Sequence, residues 1–133
     1  KENIVFLNHR DCLKLFRYKS DNHFQQAWWE VGTRHLNQAV WFPKLYPNKE
    51  WINTLSDDGK TITAQKIVDG KIVKKDPLKT PIRDRIVFAH YKNVFGQTVY
   101  KFYGIYRTDL NASNETKHVH KRIKTKINLS AYI

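Results

Sequence analysis

The chain has 133 residues, enough for one compact domain and too few for two with separate cores. Its 24 Lys and Arg against 12 Asp and Glu give a formal charge of +12, while 41% apolar and 14% aromatic residues exclude a disordered basic tail. No apolar run approaches the length that spans a bilayer, and a single cysteine, Cys12, excludes an internal disulfide and a paired-cysteine zinc site.

In chain order, Ile4 to Leu7 reads as a short buried strand. Asp11 to Tyr18 fits either an alternating strand or a helix whose face carries Cys12, Leu13 and Phe16. His23 to Val31 fits a short helix capped by Asp21 or Asn22 and ended by Gly32, or an extended segment. Ala39 to Phe42 predicts a strand stopped by Pro43. Trp51 to Leu55, the turn Asp57-Asp58-Gly59-Lys60 and Thr61 to Ile67 predict a hairpin, and Asp69-Gly70 turns the chain into Lys71 to Lys74. Pro77 and Pro81 bracket a loop. Arg85 to Tyr91 reads as a buried central strand, Asn93 to Gln97 as a turn, and Val99 to Thr108 as its partner. In the last strand, Val119, Ile123 and Ile127 alternate with His118, His120, Arg122, Lys124 and Lys126, which predicts five cationic or titratable groups on one face. The sum is a mainly β chain (α+β) of six to eight strands with one or two short helices. It closes most easily as a small β-barrel, which removes exposed edges.

The charge is uneven. Residues 1–66 carry 10 basic and 7 acidic groups, whereas residues 67–133 carry 14 and 5. A basic surface concentrated in one half attracts a polyanion, and nucleic acid is the expected partner because its phosphates release counterions to Lys and Arg. Arg83, Arg85, Lys92, Lys101, Lys121, Arg122, Lys124 and Lys126 are the expected phosphate contacts. The chain begins at Lys1 without a methionine or a charged leader, which suggests a single domain, 1–133, cut from a longer polypeptide. The lone cysteine fits a reducing cytoplasm.

All four Trp lie in the first half. Adjacent Trp28 and Trp29 cannot both face one core, so one should reach a surface or cavity, and an exposed indole in a basic domain is a stacking platform for a base. Trp28, Trp29, Trp41, Tyr46 and Tyr103 are the stacking candidates. Asp21, Glu30 and Asn37 are candidates for reading a base edge, since a base lifted from the stack is recognised by hydrogen bonds while aromatics hold its ring. Catalytic signatures are sparse. His118 and His120 form an i, i+2 pair that could begin a metal-dependent nuclease centre, but no carboxylate cluster accompanies it in sequence. No phosphate-binding loop, zinc-protease or nucleophile-elbow motif is present. The expectation is a binding domain without catalysis, cofactor or metal of its own.

The block RDRIVFAHYKNVFGQTVYKFYGIYRTDL (Arg83 to Leu110), an apolar strand, a turn and a strand of Y-K-F-Y-G-I-Y type, resembles the paired strands of modified-base-binding domains of the PUA superfamily. These include the SRA-like and EVE-like modules of modification-dependent restriction systems. The resemblance implies a reader of 5-methylcytosine or a hydroxymethylated form, flipped into an aromatic pocket of a bent barrel. It further implies duplex DNA as partner and fusion to nuclease or ATPase domains. An RNA-binding module of the same broad fold, the His118/His120 nuclease and a protein-interaction domain are the competing expectations.

Overall fold

A computed structural model describes residues 5–16, 28–31, 37–45, 51–74 and 83–128. In chain order the elements are β1 (Val5–Phe6), α1 (His9–Lys14), β2 (Trp28–Glu30), β3 (Gln38–Trp41), β4 (Trp51–Leu55), β5 (Thr61–Val68), β6 (Lys71–Ile72), β7 (Asp84–Lys92), β8 (Thr98–Thr108) and β9 (Lys117–Lys124). One mixed sheet runs β2-β3-β7-β8-β9-β5-β4, with β1 paired to β8 and β6 to β5. Among the described residues β3 and β7 pair in parallel and the other ladders are antiparallel.

The helix resolves the ambiguity after Asp11. Asn8 caps it by accepting from the Asp11 amide at 2.9 Å, and Cys12 and Leu13 are buried with Phe16 just beyond the end. Sequence patterning alone left Trp28 to Val31 open between helix and strand, and β2 settles the described part as strand. The Pro77 and Pro81 loop and residues 23–27 lie outside the described residues.

The sheet has two packed faces. On the outer face, Val40, Phe42, Ile86, Phe88 and Ile105 pack against Cys12, Leu13 and Phe16, with Trp29 against them. On the inner face, Trp41, Ile62, Val87 and Tyr106 form a second cluster, with Trp28, Leu45, Leu55 and Tyr103 against it. Trp28 and Trp29 are thus divided between the two cores, as strand alternation requires.

Rolling of the sheet builds the inner face. Two strands separate β3 from β9 in the sheet order, a backbone separation of about 14 Å were the sheet flat. Nevertheless the rings of Trp41 and His120 meet edge to face at 5.2 Å. The bend is concentrated in β8, whose ladder with β7 shifts register between Val87 and Phe88 and whose ladder with β9 shifts between Ile105 and Tyr106. Gly104 sits at this double irregularity with φ +137°, a backbone conformation closed to residues with a Cβ.

The expected closed barrel is corrected: the sheet rolls without closing. Among the described residues no backbone ladder joins β4 to β2 or β3, while a side-chain bond runs from Asn53 Nδ2 of β4 to the Lys44 carbonyl at 3.1 Å. Pro43, next to β3, has no N–H with which to extend a ladder. Among the described residues the strand count is nine rather than six to eight, because Trp28–Glu30, open between helix and strand in the sequence, adds β2. Among the described residues no helix is long and apolar enough to cross a membrane.

A Cβ at Gly104 would lie 2.6 Å from Arg122 Cδ and 2.7 Å from the Lys124 carbonyl oxygen, on top of a forbidden φ. Gly104→Ala is therefore expected to cost about 2–3 kcal/mol, read as a lower urea midpoint. An unchanged midpoint would show that the bend does not depend on this residue.

Candidate base-binding face

Strand alternation places Trp28 of β2, Trp41 of β3, Arg85 of β7 and His120 of β9 on the inner face. Trp28 and Trp41 are direct cross-strand partners. The Arg85 guanidinium carbon lies 4.6 Å from the ring centre of each indole. Burial in this apolar setting pulls the Arg85 pKa down to about 10, and its Nε finds no hydrogen-bond partner. Among the described residues no carboxylate pairs with it. Glu30, two residues beyond Trp28 on the same face, instead pairs with Arg83 at 3.2 Å, and Arg83 Nη1 also reaches the Asn37 side-chain oxygen at 3.4 Å. Asn37 holds a left-handed φ of 46°, and its carbonyl accepts from the Asp84 amide.

Beneath Trp41, His120 is fully buried. Its Nδ1 and the Thr108 hydroxyl are 2.9 Å apart, while Nε2 finds no partner among the described residues. Burial first, then the positive charge of Arg85 and the neighbouring His118, push its pKa down to about 2. The ring is neutral at physiological pH. The sequence pattern of a solvated cationic face on β9 is corrected here. His118 and His120 are buried, the register shift interrupts the alternation, and the strand ends at Lys124 before Lys126. Among the described residues no group of three His, Cys, Asp or Glu could hold a metal ion, and the histidine pair has no such company.

Trp28, Trp41 and Arg85 come together; other candidates stand apart. Trp29 packs on the outer face. Tyr103 lies along the inner face, with Lys101 Nζ 5.1 Å above its ring. Asp21 and Tyr46 lie outside the described residues. Of the phosphate candidates, Lys92, Lys101, Lys121, Lys124 and Lys126 are exposed. Arg122 is engaged within the fold: its amide donates to the Lys60 carbonyl at 2.7 Å, and its guanidinium reaches the Tyr103 and Asp58 carbonyls at 3.4 and 3.5 Å. An open groove of about 490 Å³ runs beside it, lined by Lys60, Arg122, Lys124 and Lys126. His120 and Thr108 were missed as parts of this face; their one signal in sequence is an alternation that keeps both on the side of Tyr106.

The sequence model of the SET and RING associated (SRA) domain family matches residues 1–129, and the chain belongs to this family. The similarity to SRA-like modified-base-binding domains suggested by Arg83 to Leu110 is thereby borne out over nearly the whole chain. Among solved structures, the 5-hydroxymethylcytosine-specific restriction enzyme AbaSI is similar with a TM-score of 0.74 and 29% identity. The match covers 95% of this chain and 40% of that one, so this chain spans well under half the length of the enzyme it resembles. No curated protein matches the sequence.

Because His120 is held neutral when folded and charges freely when unfolded, its contribution to stability is full above pH 6.5 and is lost as the pH falls below that value. Between pH 7 and pH 5 the loss is about 2 kcal/mol. In His120→Gln, urea melts at pH 7, 6 and 5 should show a correspondingly flatter dependence. An identical slope in both proteins would mean that the ring is protonated in the folded state.

Proposed function

We propose that this domain is a reader of modified cytosine, methylated or hydroxymethylated, in duplex DNA, which takes the base out of the stack onto Trp28 and Trp41. The observation that carries the reading is the convergence of two cross-strand indoles and a planar cation on the inner face of an SRA-family fold. Indole faces suit any base, so stacking supplies affinity. Discrimination needs polar groups at the base edge, and Glu30 and Asn37 at the end of the same strands are the candidates. Cytosine presents an exocyclic amine, for which the Glu30 carboxylate is the matching acceptor.

Lys92, Lys101, Lys121, Lys124 and Lys126, with Arg83, are the proposed grip on the phosphates, and they position the duplex without reading it. Arg122 also braces the groove wall, since its guanidinium reaches the Tyr103 and Asp58 carbonyls. The likeness to a part of a restriction enzyme supports a role as the targeting module of an attached nuclease, the domain itself being non-catalytic. The basic surface suits either nucleic acid, and the family supports DNA as the ligand.

Two substitutions separate the parts. Trp28 is half-buried, so Trp28→Ala leaves most of the inner core in place. It is expected to weaken binding to a duplex carrying 5-hydroxymethylcytosine by about 1–3 kcal/mol and to leave the unmodified duplex within about twofold. Lys124→Ala should weaken both duplexes alike and flatten the salt dependence by about 0.9 in log–log slope. Fluorescence anisotropy at several salt concentrations reads both effects. An equal loss on both duplexes for Trp28→Ala would remove the aromatic site from the reading.

A further inference from the structure

The indole faces that the proposed base would use are already covered, by the chain's own Arg85. A guanidinium and a pyrimidine are both flat and both stack on an indole, so they compete for the same surface. The cation is also held in an unusual way. Its Nε is sealed from solvent without an acceptor, and it has no carboxylate among the described residues. The acid on its own face, Glu30, is committed to Arg83. The neighbouring His120 adds no compensation: it is neutral, and its ring meets Trp41 edge to face. Among the described residues, two π-faces are what balance the charge.

Such a cation is poorly satisfied where it lies, and a phosphate is a better partner than an indole because it gives charge-assisted, bidentate hydrogen bonds. An extruded nucleotide brings both halves of an exchange. Its base replaces the guanidinium on the indoles, and its phosphate takes the guanidinium. The side chain is long, retains some exposure and is rooted near the start of β7, so the exchange requires side-chain rotation without unfolding of the sheet.

We propose that Arg85 closes the Trp28/Trp41 site in the free protein and becomes the phosphate ligand of the extruded nucleotide when the base enters. The proposal rests on the base-reading function above and assigns Arg85 a positioning role within it. It explains why a cation stands on the stacking platform rather than at the rim with the lysines. It also makes access to the site conditional on a phosphate, so that a base alone meets a competitor while a nucleotide supplies the means of removing it.

The test uses 5-hydroxymethyl-2′-deoxycytidine and its 5′-monophosphate as probes, titrated against the whole domain and followed by tryptophan fluorescence. The wild type should bind the monophosphate at least tenfold more tightly than the nucleoside. Arg85→Ala should bind the nucleoside several-fold more tightly than the wild type and lose the preference for the monophosphate. Arg85→Lys, which keeps the charge without the flat stacking group, should gain nucleoside affinity while keeping that preference; it decides the matter if the alanine variant does not fold. Nucleoside binding that is unchanged, weakened or absent in the variants overturns the gate, as does a monophosphate preference that survives in Arg85→Ala. A parallel titration with modified and unmodified duplexes separates the two layers. If the wild type does not distinguish them, the base-reading function fails and the gate with it. If the wild type does distinguish them but the variants show either of the overturning results, only the gate fails.

Discussion

Curvature of one sheet governs everything on the inner face, and that curvature is concentrated where β8 changes register against both of its neighbours. With the strands flat, Trp41 of β3 and His120 of β9 would stand about 14 Å apart at the backbone; rolled, their rings touch. The roll needs a residue without a side chain at position 104, because Arg122 and the Lys124 carbonyl come within 3 Å of where a Cβ would stand. Tyr106, two residues on, is buried, and its hydroxyl donates to the Gly59 carbonyl at 2.6 Å, which ties the bent strand to the β4–β5 turn. That turn is itself fixed by Asp58, whose carboxylate accepts from the Ser56 hydroxyl and the Lys60 amide.

Rolling an aromatic face into a partly enclosed space changes the chemistry of the polar groups on it. A cation and two imidazoles that would be solvated on a flat strand become buried beside indoles, where charge is costly. The fold meets that cost in different ways. His120 stays neutral and bonds Thr108, whereas Arg85 remains charged and is balanced by π-faces. Elsewhere the arrangement is conventional: Asp84 and Arg107 form a two-pronged pair at 2.9 Å for each contact, pinning the start of β7 to the end of β8 on the exposed side. The two arginines thus differ: Arg107 is matched to a carboxylate, whereas among the described residues Arg85 is matched only to indole faces.

Much of this architecture was legible in the sequence, and the parts that were not have a common cause. Turn chemistry located the β4–β5 and β7–β8 hairpins, since Asp58-Gly59 and Asn93 with Gly96 carry their own hydrogen-bond instructions. Adjacency divided Trp28 from Trp29 between two faces, as β2 has them, although period-two patterning left that segment open between helix and strand. Patterning failed on β9, where alternation says which face a residue takes but not whether that face is open. Val119 is buried as well as its neighbours His118 and His120, so both sides of the strand are covered. Closure also lay beyond it: strand number and edge avoidance favoured a barrel, while among the described residues no ladder closes the sheet and an Asn53 side chain reaches across to the Lys44 carbonyl. The pairing of Arg85 with the indoles was invisible for the same reason, because β2, β3 and β7 are brought side by side by pairings distant in sequence.

The most direct measurement is the affinity of the purified domain for one duplex sequence carrying cytosine, 5-methylcytosine, 5-hydroxymethylcytosine or 6-methyladenine at a single position, at one fixed salt concentration. The account predicts that a modified cytosine is bound at least tenfold more tightly than cytosine, with 6-methyladenine no better than the unmodified duplex. Equal affinity for all four would contradict it, leaving a basic domain that grips phosphates and reads nothing.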